Sequence, residues 1–323
     1  MILEELNEIT NDYFLLEDGS ATDIYFTTSF LVDYLMKQQK GLWERPSGGK
    51  KIRVPLEYDE SEGGWYQRND PLSSDDRELI DAAYFAWKHA YGNGTIYRTD
   101  SLYNAGEYAE VQLVTTKVKN AQKTCRNKIA KSIYSAVGDA GSSLTGLLSC
   151  CSTATTVAYG EITEDGLVSA DGTKRWKGNV NTTGGVISLD LIRTIASAAK
   201  IHDGTDGKPN IGTTTEVLFN KVNSLLQTQQ RYVKEEDSVK AGFLRLVFEG
   251  KIIAADDYCP AGYYFNMNSN HIGFGIHAKG YFARQEWADL QGPTGQTMKV
   301  FWDGNLIVNH RLAQGCGSGI TAA

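Results

Sequence analysis

The sequence contains little proline and cysteine and no long apolar run. Its 323 residues include 6 prolines and 5 cysteines. No stretch approaches the roughly 18 consecutive apolar residues that a membrane-spanning helix requires. The first residues, Met1 to Leu6, lack the basic start and the apolar run of a secretory signal. We therefore expect no membrane association and a protein that stays in a reducing cytoplasm.

The cysteines are odd in number and show no zinc-like spacing. They are Cys125, Cys150, Cys151, Cys259 and Cys316. This pattern is typical of thiols that fill apolar space. The vicinal pair Cys150-Cys151 is compatible with a redox site, but the sequence favours an ordinary buried or turn position.

Charge argues against binding along nucleic acid. The chain has 32 basic and 39 acidic residues and a net charge of -7. Proteins that grip nucleic acid neutralise its phosphates with clustered Lys and Arg. With 41% hydrophobic residues and a length of 323, the chain can form a sizeable core in about two domains.

Signatures of catalysis are missing. There is no nucleophile elbow, Walker motif or His-Glu-x-x-His segment. Gly273-x-Gly275 and Gly315-x-Gly317-x-Gly319 lack the strand-turn-helix context of a phosphate loop, and we interpret the second as a flexible tail. The sequence therefore predicts no cofactor and no enzymatic activity.

One alternative to this view is a metal-dependent α+β enzyme. His271 and His277 lie near Asp256 and Asp257 in the sequence and are residue types that bind metals. No predicted helix or hairpin brings the four together, so ordinary positions in a sheet are the favoured interpretation.

Residues 1–44 predict an arm that contains one short helix. Thr28 or Ser29 caps a segment in which Phe30 and Tyr34 lie on one face. An isolated helix of this length is marginal in water. Its apolar face is therefore expected to need another surface, which we assign to a neighbouring subunit.

Residues 50–98 predict a long two-stranded hairpin. Residues 51–58 alternate between charged and apolar, and Pro55 favours an edge strand. The charged tip, residues 59–78, carries Trp65, Tyr66 and Arg68. The return strand, residues 79–90, carries Trp87, and Gly92-Asn93-Gly94 is a predicted turn after it. A ribbon of two strands is barely stable alone, so its aromatic residues point to a partner, unless the hairpin folds back over its own domain.

The strongest helical pattern covers residues 101–137, with an apolar stripe from Val111 to Val137. At 1.5 Å per residue such a helix is about 50 Å long, typical of a spine along a sheet. Two shorter helices are predicted at 188–200 and from the capping box Thr213-Thr214-Thr215-Glu216 to Gln230.

The last eighty residues predict a series of short strands, and the fold class is therefore α+β. The predicted strands are 243–248, 251–255, 263–267, 271–276, 281–287 and 298–302. Trp302-Asp303-Gly304-Asn305 predicts a hairpin turn into Leu306-Ile307-Val308.

The order of these features resembles major capsid proteins of tailed double-stranded DNA bacteriophages, which have the HK97-like fold. The resemblance covers nearly all of the chain and depends on order more than on any one motif. The segments that resemble phage coat proteins are 48–58 (GGKKIRVPLEY), 156–160 (TVAYG) with 176–178 (WKG), 209–214 (PNIGTT), 248–256 (FEGKIIAAD) and 259–262 (CPAG).

The resemblance implies a division of the chain into named parts. They are an N-arm at 1–44, an extended E-loop at 45–98, a peripheral domain with spine helix and glycine-rich region at 99–187, an axial domain at 188–268, and a return to the peripheral domain with a C-terminal tail at 269–323. It also implies self-assembly into hexamers and pentamers of an icosahedral head around double-stranded DNA. The inter-subunit contact candidates are Phe30, Tyr34, Trp65, Tyr66, Arg68 and Trp87.

Partners follow from the same resemblance. Because only about 44 residues precede the E-loop, a separate scaffolding protein is expected, together with a portal protein. The enclosed DNA is not bound by sequence, and the head forms in the host cytoplasm. Some family members crosslink Lys to Asn, for which Lys50 or Lys51 with Asn305 or Asn309 are conceivable here. The alternatives are an encapsulin-like compartment of the same fold and, disfavoured by the long helix, a tail-tube subunit.

Overall fold

The computed structural model describes residues 29–37, 46–72, 75–103, 107–154, 156, 158–201, 207–227, 245–290 and 294–323, without the side chains of 37, 101–103 and 107–113. The predicted cap Thr28, the rest of the arm, and the ends of the helix predicted to reach Gln230 and of the strand predicted from 243 lie outside the described residues.

Helices and strands are mixed along the whole described chain, as the α+β prediction expects. The helices are α1 (Phe30–Lys37), α2 (Arg98–Tyr103), α3 (Glu107–Ile133), α4 (Leu147–Cys151), α5 (Leu189–Ala198) and α6 (Glu216–Gln227). In the described ranges none of them has both the length and the hydropathy of a membrane span.

The strands are mostly short. They are β1 (Lys51–Glu57), β2 (Ile80–Ala86), β3 (Lys88–Tyr97), β4 (Val180–Asn181), β5 (Gly185–Val186), β6 (Ile211–Thr214), β7 (Arg245–Phe248), β8 (Lys251–Ala255), β9 (Tyr264–Met267), β10 (Ile272–Ile276), β11 (Ala283–Arg284), β12 (Ala288–Asp289), β13 (Gly295–Val308), β14 (Gly315–Gly317) and β15 (Ile320–Thr321).

The chain divides into two units. Of the described residues, the first unit contains His89–Ile129 and Ala278–Asp303, within the gaps stated above, and the second contains the remainder. In the first unit, β13 pairs with β3, β11 and β12. In the second unit, β13 pairs with β10, β1 pairs with β2, and a six-stranded sheet has the order β4-β14-β9-β6-β8-β7.

Close contact between a helix and a strand organises the first unit. Ala121 of α3 packs with Met298 and Val300 of β13 in a small apolar cluster. A Cβ added at Gly92 of β3 would lie 1.9 Å from the Ala121 carbonyl oxygen. The predicted turn at Gly92-Asn93-Gly94 is therefore wrong: these residues lie inside β3, where glycine lets the helix backbone approach.

Helices α5 and α6 cover the six-stranded sheet of the second unit. The apolar faces of both, including Ile192 and Val222, share a cluster with Ile253 and Tyr264 of the sheet. Ser188 caps α5 by accepting a hydrogen bond from the Leu191 amide, at 3.1 Å. The predicted helix at 188–200 is therefore confirmed to within two residues. The predicted capping box is wrong, because Thr213 and Thr214 belong to the buried strand β6.

The predicted hairpin at Asp303-Gly304 is also wrong. Both residues lie within β13, a strand of 14 residues. Gly304 is paired with Ile276 of β10, and the Asp303 amide donates to the Gly280 carbonyl at 3.0 Å. These pairings on either side satisfy the extended backbone and override the local turn preference.

The glycine-rich C-terminal segment is a strand and not a flexible tail. Gly315, Cys316 and Gly317 form β14, which is buried between β9 and β4. A Cβ added at Gly317 would lie 2.6 Å from the Ile195 side chain of α5. Glycine is therefore needed here because helix and strand pack closely.

Candidate assembly surface

The base of the β1–β2 hairpin is covered by the chain itself. The β1 side chains alternate between exposed and buried, as the period-two pattern predicts. Phe85 of β2 is buried, and its ring meets that of Tyr159 edge to face with centroids 5.3 Å apart. Gly160 provides the space for this contact, since a Cβ there would lie 2.8 Å from Ala83.

Trp87 also contacts its own chain. Its Nε1 donates to the Gly49 carbonyl at 2.9 Å, and its ring meets that of His277 with centroids 5.5 Å apart. It is half-buried, so only part of its ring is left for a partner.

The hairpin tip, residues 58–79, presents the large apolar side chains that the chain does not cover. Trp65 is 105% exposed and Tyr66 is 69% exposed. Arg68 is exposed beside them. Such a concentration of exposed aromatic surface is typical of protein interaction sites.

Polar contacts within the tip give it a defined shape. Asp70 accepts a hydrogen bond from the Gln67 amide at 2.6 Å, and Arg77 forms an ion pair with Glu62. At the base of the tip, the Ala170 amide donates to Asp59 at 3.0 Å. The tip therefore presents Trp65 and Tyr66 without packing them.

Phe30 and Tyr34 lie in a different environment from the one predicted. Phe30 is 0% exposed and Tyr34 is 7% exposed in the single chain. The Arg245 guanidinium lies over the Phe30 ring, 4.9 Å from its centroid. The prediction that this apolar face waits for a neighbouring subunit is wrong, because the chain's own residues already bury it.

Asp256 holds the start of α1 in place. Its Oδ2 accepts hydrogen bonds from Ser29 Oγ at 2.7 Å, the Leu31 amide at 3.1 Å and the Tyr134 hydroxyl at 3.0 Å. Its Oδ1 accepts from the Tyr258 amide at 3.1 Å. A carboxylate at a helix N-terminus satisfies amides that lack partners within the helix and is favoured by the helix dipole. Burial, with Asp256 next in effect, raises the pKa of Tyr134 well above its usual value.

Asp256 also bears on the metal-enzyme alternative. Its contacts are with the start of α1, while His271 Nδ1 lies 3.0 Å from Asn309 Oδ1 and His277 packs on Trp87. Across the described ranges, no group of three His, Cys, Asp or Glu side chains could hold a metal ion. The structure therefore does not bring the four suggested ligands together.

The suggested crosslink partners are largely engaged within the chain. Asn305 is fully buried, and its Nδ2 donates to the Ala86 carbonyl and to Thr145 Oγ1, each at 3.0 Å. Lys51 Nζ lies 2.5 Å from Glu161. A crosslink through Asn305 is therefore excluded by its burial, while Asn309 is half-buried.

The cysteines are buried and free, as the sequence predicts. Cys125 is 0% exposed, and burial, with a smaller effect of Asp303, raises its pKa to about 12. Burial likewise raises the pKa of Cys259. We expect a thiol reagent such as dithionitrobenzoate to label none of the cysteines in the folded protein within minutes and all of them in denaturant, since reaction requires access of the reagent. Rapid labelling before unfolding would contradict this arrangement.

The comparisons with known proteins address the fold. No protein-family model and no curated protein matches the sequence. Among solved structures, the cyanophage A-1(L) capsid asymmetric unit is similar with a TM-score of 0.68 and 14% identity, covering 94% of this chain and 96% of that one. The chain has the HK97-like fold of phage capsid proteins.

Two further structures extend this likeness. The capsid of the native GTA particle has a TM-score of 0.59 at 10% identity and covers 96% of this chain and 97% of that one. A structure of Mycobacterium phage Bobi has a TM-score of 0.56 at 9% identity and covers 97% of this chain and 98% of that one. The HK97-like fold predicted from the order of sequence features is therefore confirmed along nearly the whole chain.

Proposed function

We propose that this chain is the major capsid protein of a tailed double-stranded DNA phage and assembles into hexamers and pentamers of an icosahedral head. The observation that carries the proposal is the likeness to a cyanophage capsid over almost the full length of both chains. A match that uses nearly all of each chain leaves little room for an additional domain with a different activity.

The exposed hairpin tip supports assembly. Trp65 and Tyr66 are stable in water only at a cost of exposed apolar area, which a contact with another copy would remove. In a closed symmetric shell the same contact repeats at every equivalent position, so a modest energy per copy adds up. We assign residues 45–98 as the E-loop that lies over an adjacent subunit.

The other parts of the HK97-like fold are assigned by the same proposal. We assign residues 1–44 to the N-arm, 99–187 and 269–323 to the peripheral domain, and 188–268 to the axial domain that meets its copies at the capsomer centre. The six-stranded sheet supports the compactness of the axial region, although it also recruits β4 and β14 from outside that range.

A head of this kind has further partners. We propose a separate scaffolding protein during assembly in the host cytoplasm, a portal protein at one vertex, and double-stranded DNA inside. The net charge of -7 supports an interior that does not bind DNA tightly.

Expression of the full chain with its scaffolding protein tests the proposal. We expect electron microscopy to show closed icosahedral particles built of hexamers and pentamers. Particles recovered from infected cells should contain double-stranded DNA. A chain that sediments as a monomer at every concentration, with and without scaffold, would contradict the proposal, and particles filled with protein cargo in place of DNA would contradict the phage assignment.

A further inference from the structure

The negative charge of this protein is concentrated at its start. Residues 1–28 contain seven carboxylates, Glu4, Glu5, Glu8, Asp12, Glu17, Asp18 and Asp23, and no Lys, Arg or His. The whole chain has 39 acidic and 32 basic residues, so the 295 residues that follow carry equal numbers of each. The first 28 residues therefore account for the entire net charge.

The same segment is also apolar. It contains Leu3, Leu6, Phe14, Leu16 and Phe26 among other large side chains. A partner surface for such a segment needs apolar walls for these groups and cations near them for the carboxylates. The described part of the chain contains one groove with both properties.

This groove lies in the second unit and has a volume of about 830 Å³. Its apolar lining includes Leu56, Leu167, Trp176, Ile201 and Leu312. A volume of this size is within the usual range of binding pockets, about 300–1,000 Å³.

The charged lining of the groove is mostly basic. It has Arg175, Lys177 and Lys200 with one acidic side chain, Glu57. Arg175 already pairs with Asp171 at 2.9 Å. Lys177 and Lys200 are exposed, and no ion pair identified in the described part of the chain involves either of them.

We propose that this groove binds residues 1–28 of the protein. The apolar side chains of the segment contact the Trp176 and Leu312 walls, and its carboxylates pair with Lys177 and Lys200. Both the sign of the charge and the mixture with apolar groups are complementary, and the segment supplies the carboxylates that the two lysines lack. The proposal concerns where the segment binds and holds whether it comes from the same copy or an adjacent one.

Disulfide capture in the full-length protein tests the location. Thr173 lines the groove and is exposed, and the native thiols are buried. Thr173→Cys is combined in turn with Asn7→Cys, Asn11→Cys and Ser20→Cys, and Thr183→Cys replaces Thr173→Cys as a matched exposed control. We expect at least one pair with Thr173→Cys to crosslink at least fivefold more than its Thr183→Cys counterpart. A product of monomer mass identifies the same copy, and one of dimer mass identifies an adjacent copy.

Charge reversal tests the chemistry. Lys177→Glu with Lys200→Glu should lower the crosslink yield by about tenfold, since each exposed pair contributes modestly, and Glu4→Lys with Glu5→Lys and Glu8→Lys should restore it. Lys119→Glu with Lys128→Glu, on the exposed face of α3, should leave the yield unchanged. Equal capture at Thr173 and Thr183, or a yield that ignores the charge reversal, would overturn the proposal.

Electron microscopy of the same samples separates this inference from the proposed function. Shells that form without selective capture overturn the groove assignment and leave the capsid function standing. Selective capture in a protein that never forms shells supports the groove and contradicts the capsid function.

Discussion

Replacing Arg311 by alanine should lower the free energy of unfolding by about 3–5 kcal/mol. Arg311 is 0% exposed. Its Nε donates to the Cys150 carbonyl at 2.6 Å, its Nη1 to that of Trp176 at 3.0 Å, and its Nη2 to that of Ser152 at 2.7 Å. Truncation leaves these buried carbonyl oxygens without donors and opens a cavity, and both effects are destabilising.

The contacts of Arg311 explain why so much stability depends on one side chain. The carbonyls of Cys150 and Ser152 belong to the C-terminal end of α4, where helix carbonyls lack partners within the helix and a cation is favoured. The guanidinium also lies 5.4 Å from the centre of the Tyr159 ring. Arg311 thus links the end of α4 to the loop that contains Trp176.

Denaturant unfolding of the unassembled subunit provides the measurement. Arg311→Lys should recover only a minor part of the loss, because one ammonium group cannot donate to carbonyls in several directions as a planar guanidinium does. Arg53→Ala, at an exposed position of β1, is the matched control and should change stability by less than about 0.5 kcal/mol. A loss below about 1 kcal/mol for Arg311→Ala would show that water replaces the guanidinium.

Local patterns in the sequence predict the elements whose determinants are themselves local. The alternation in β1 and the capped apolar face of α5 both depend on neighbours a few residues away. The two predictions that failed near the C-terminus depend on distant residues. Asp303-Gly304 would form a turn in isolation, but Gly304 is paired with Ile276 in the sheet. Gly317 resembles a flexible residue until Ile195 is placed against it.

The supports of the candidate site were not predictable for the same reason. Asp256 binds Ser29, which precedes it by 227 residues, and Arg311 binds carbonyls about 160 residues earlier. A single Asp after an apolar strand or a single Arg in a loop has no distinguishing neighbours in sequence. By contrast, Trp65 and Tyr66 stand out in the sequence because aromatic residues in a charged hairpin tip have no local partner, and the structure leaves both exposed.

Replacing Trp65 and Tyr66 together by alanine should prevent shell formation without destabilising the subunit. Both side chains are largely exposed in the single chain, so folding gains little from them and the unfolding free energy should change by less than about 0.5 kcal/mol. In an assembled shell, by contrast, burial of a Trp and a Tyr in a contact is expected to contribute about 2 kcal/mol or more for each anchor. We expect the protein concentration needed for assembly to rise at least about thirtyfold.

Sedimentation of assembled against unassembled protein over a concentration series measures this effect, with circular dichroism as the check on folding. Trp65→Phe with Tyr66→Phe is the matched control, because it retains both rings and most of their apolar area, and it should assemble near the original concentration. If the alanine variant forms shells at the same concentration as the unaltered chain, the tip is not an assembly contact. The exposed aromatics would then need another explanation, since the described part of the chain provides no cover for them.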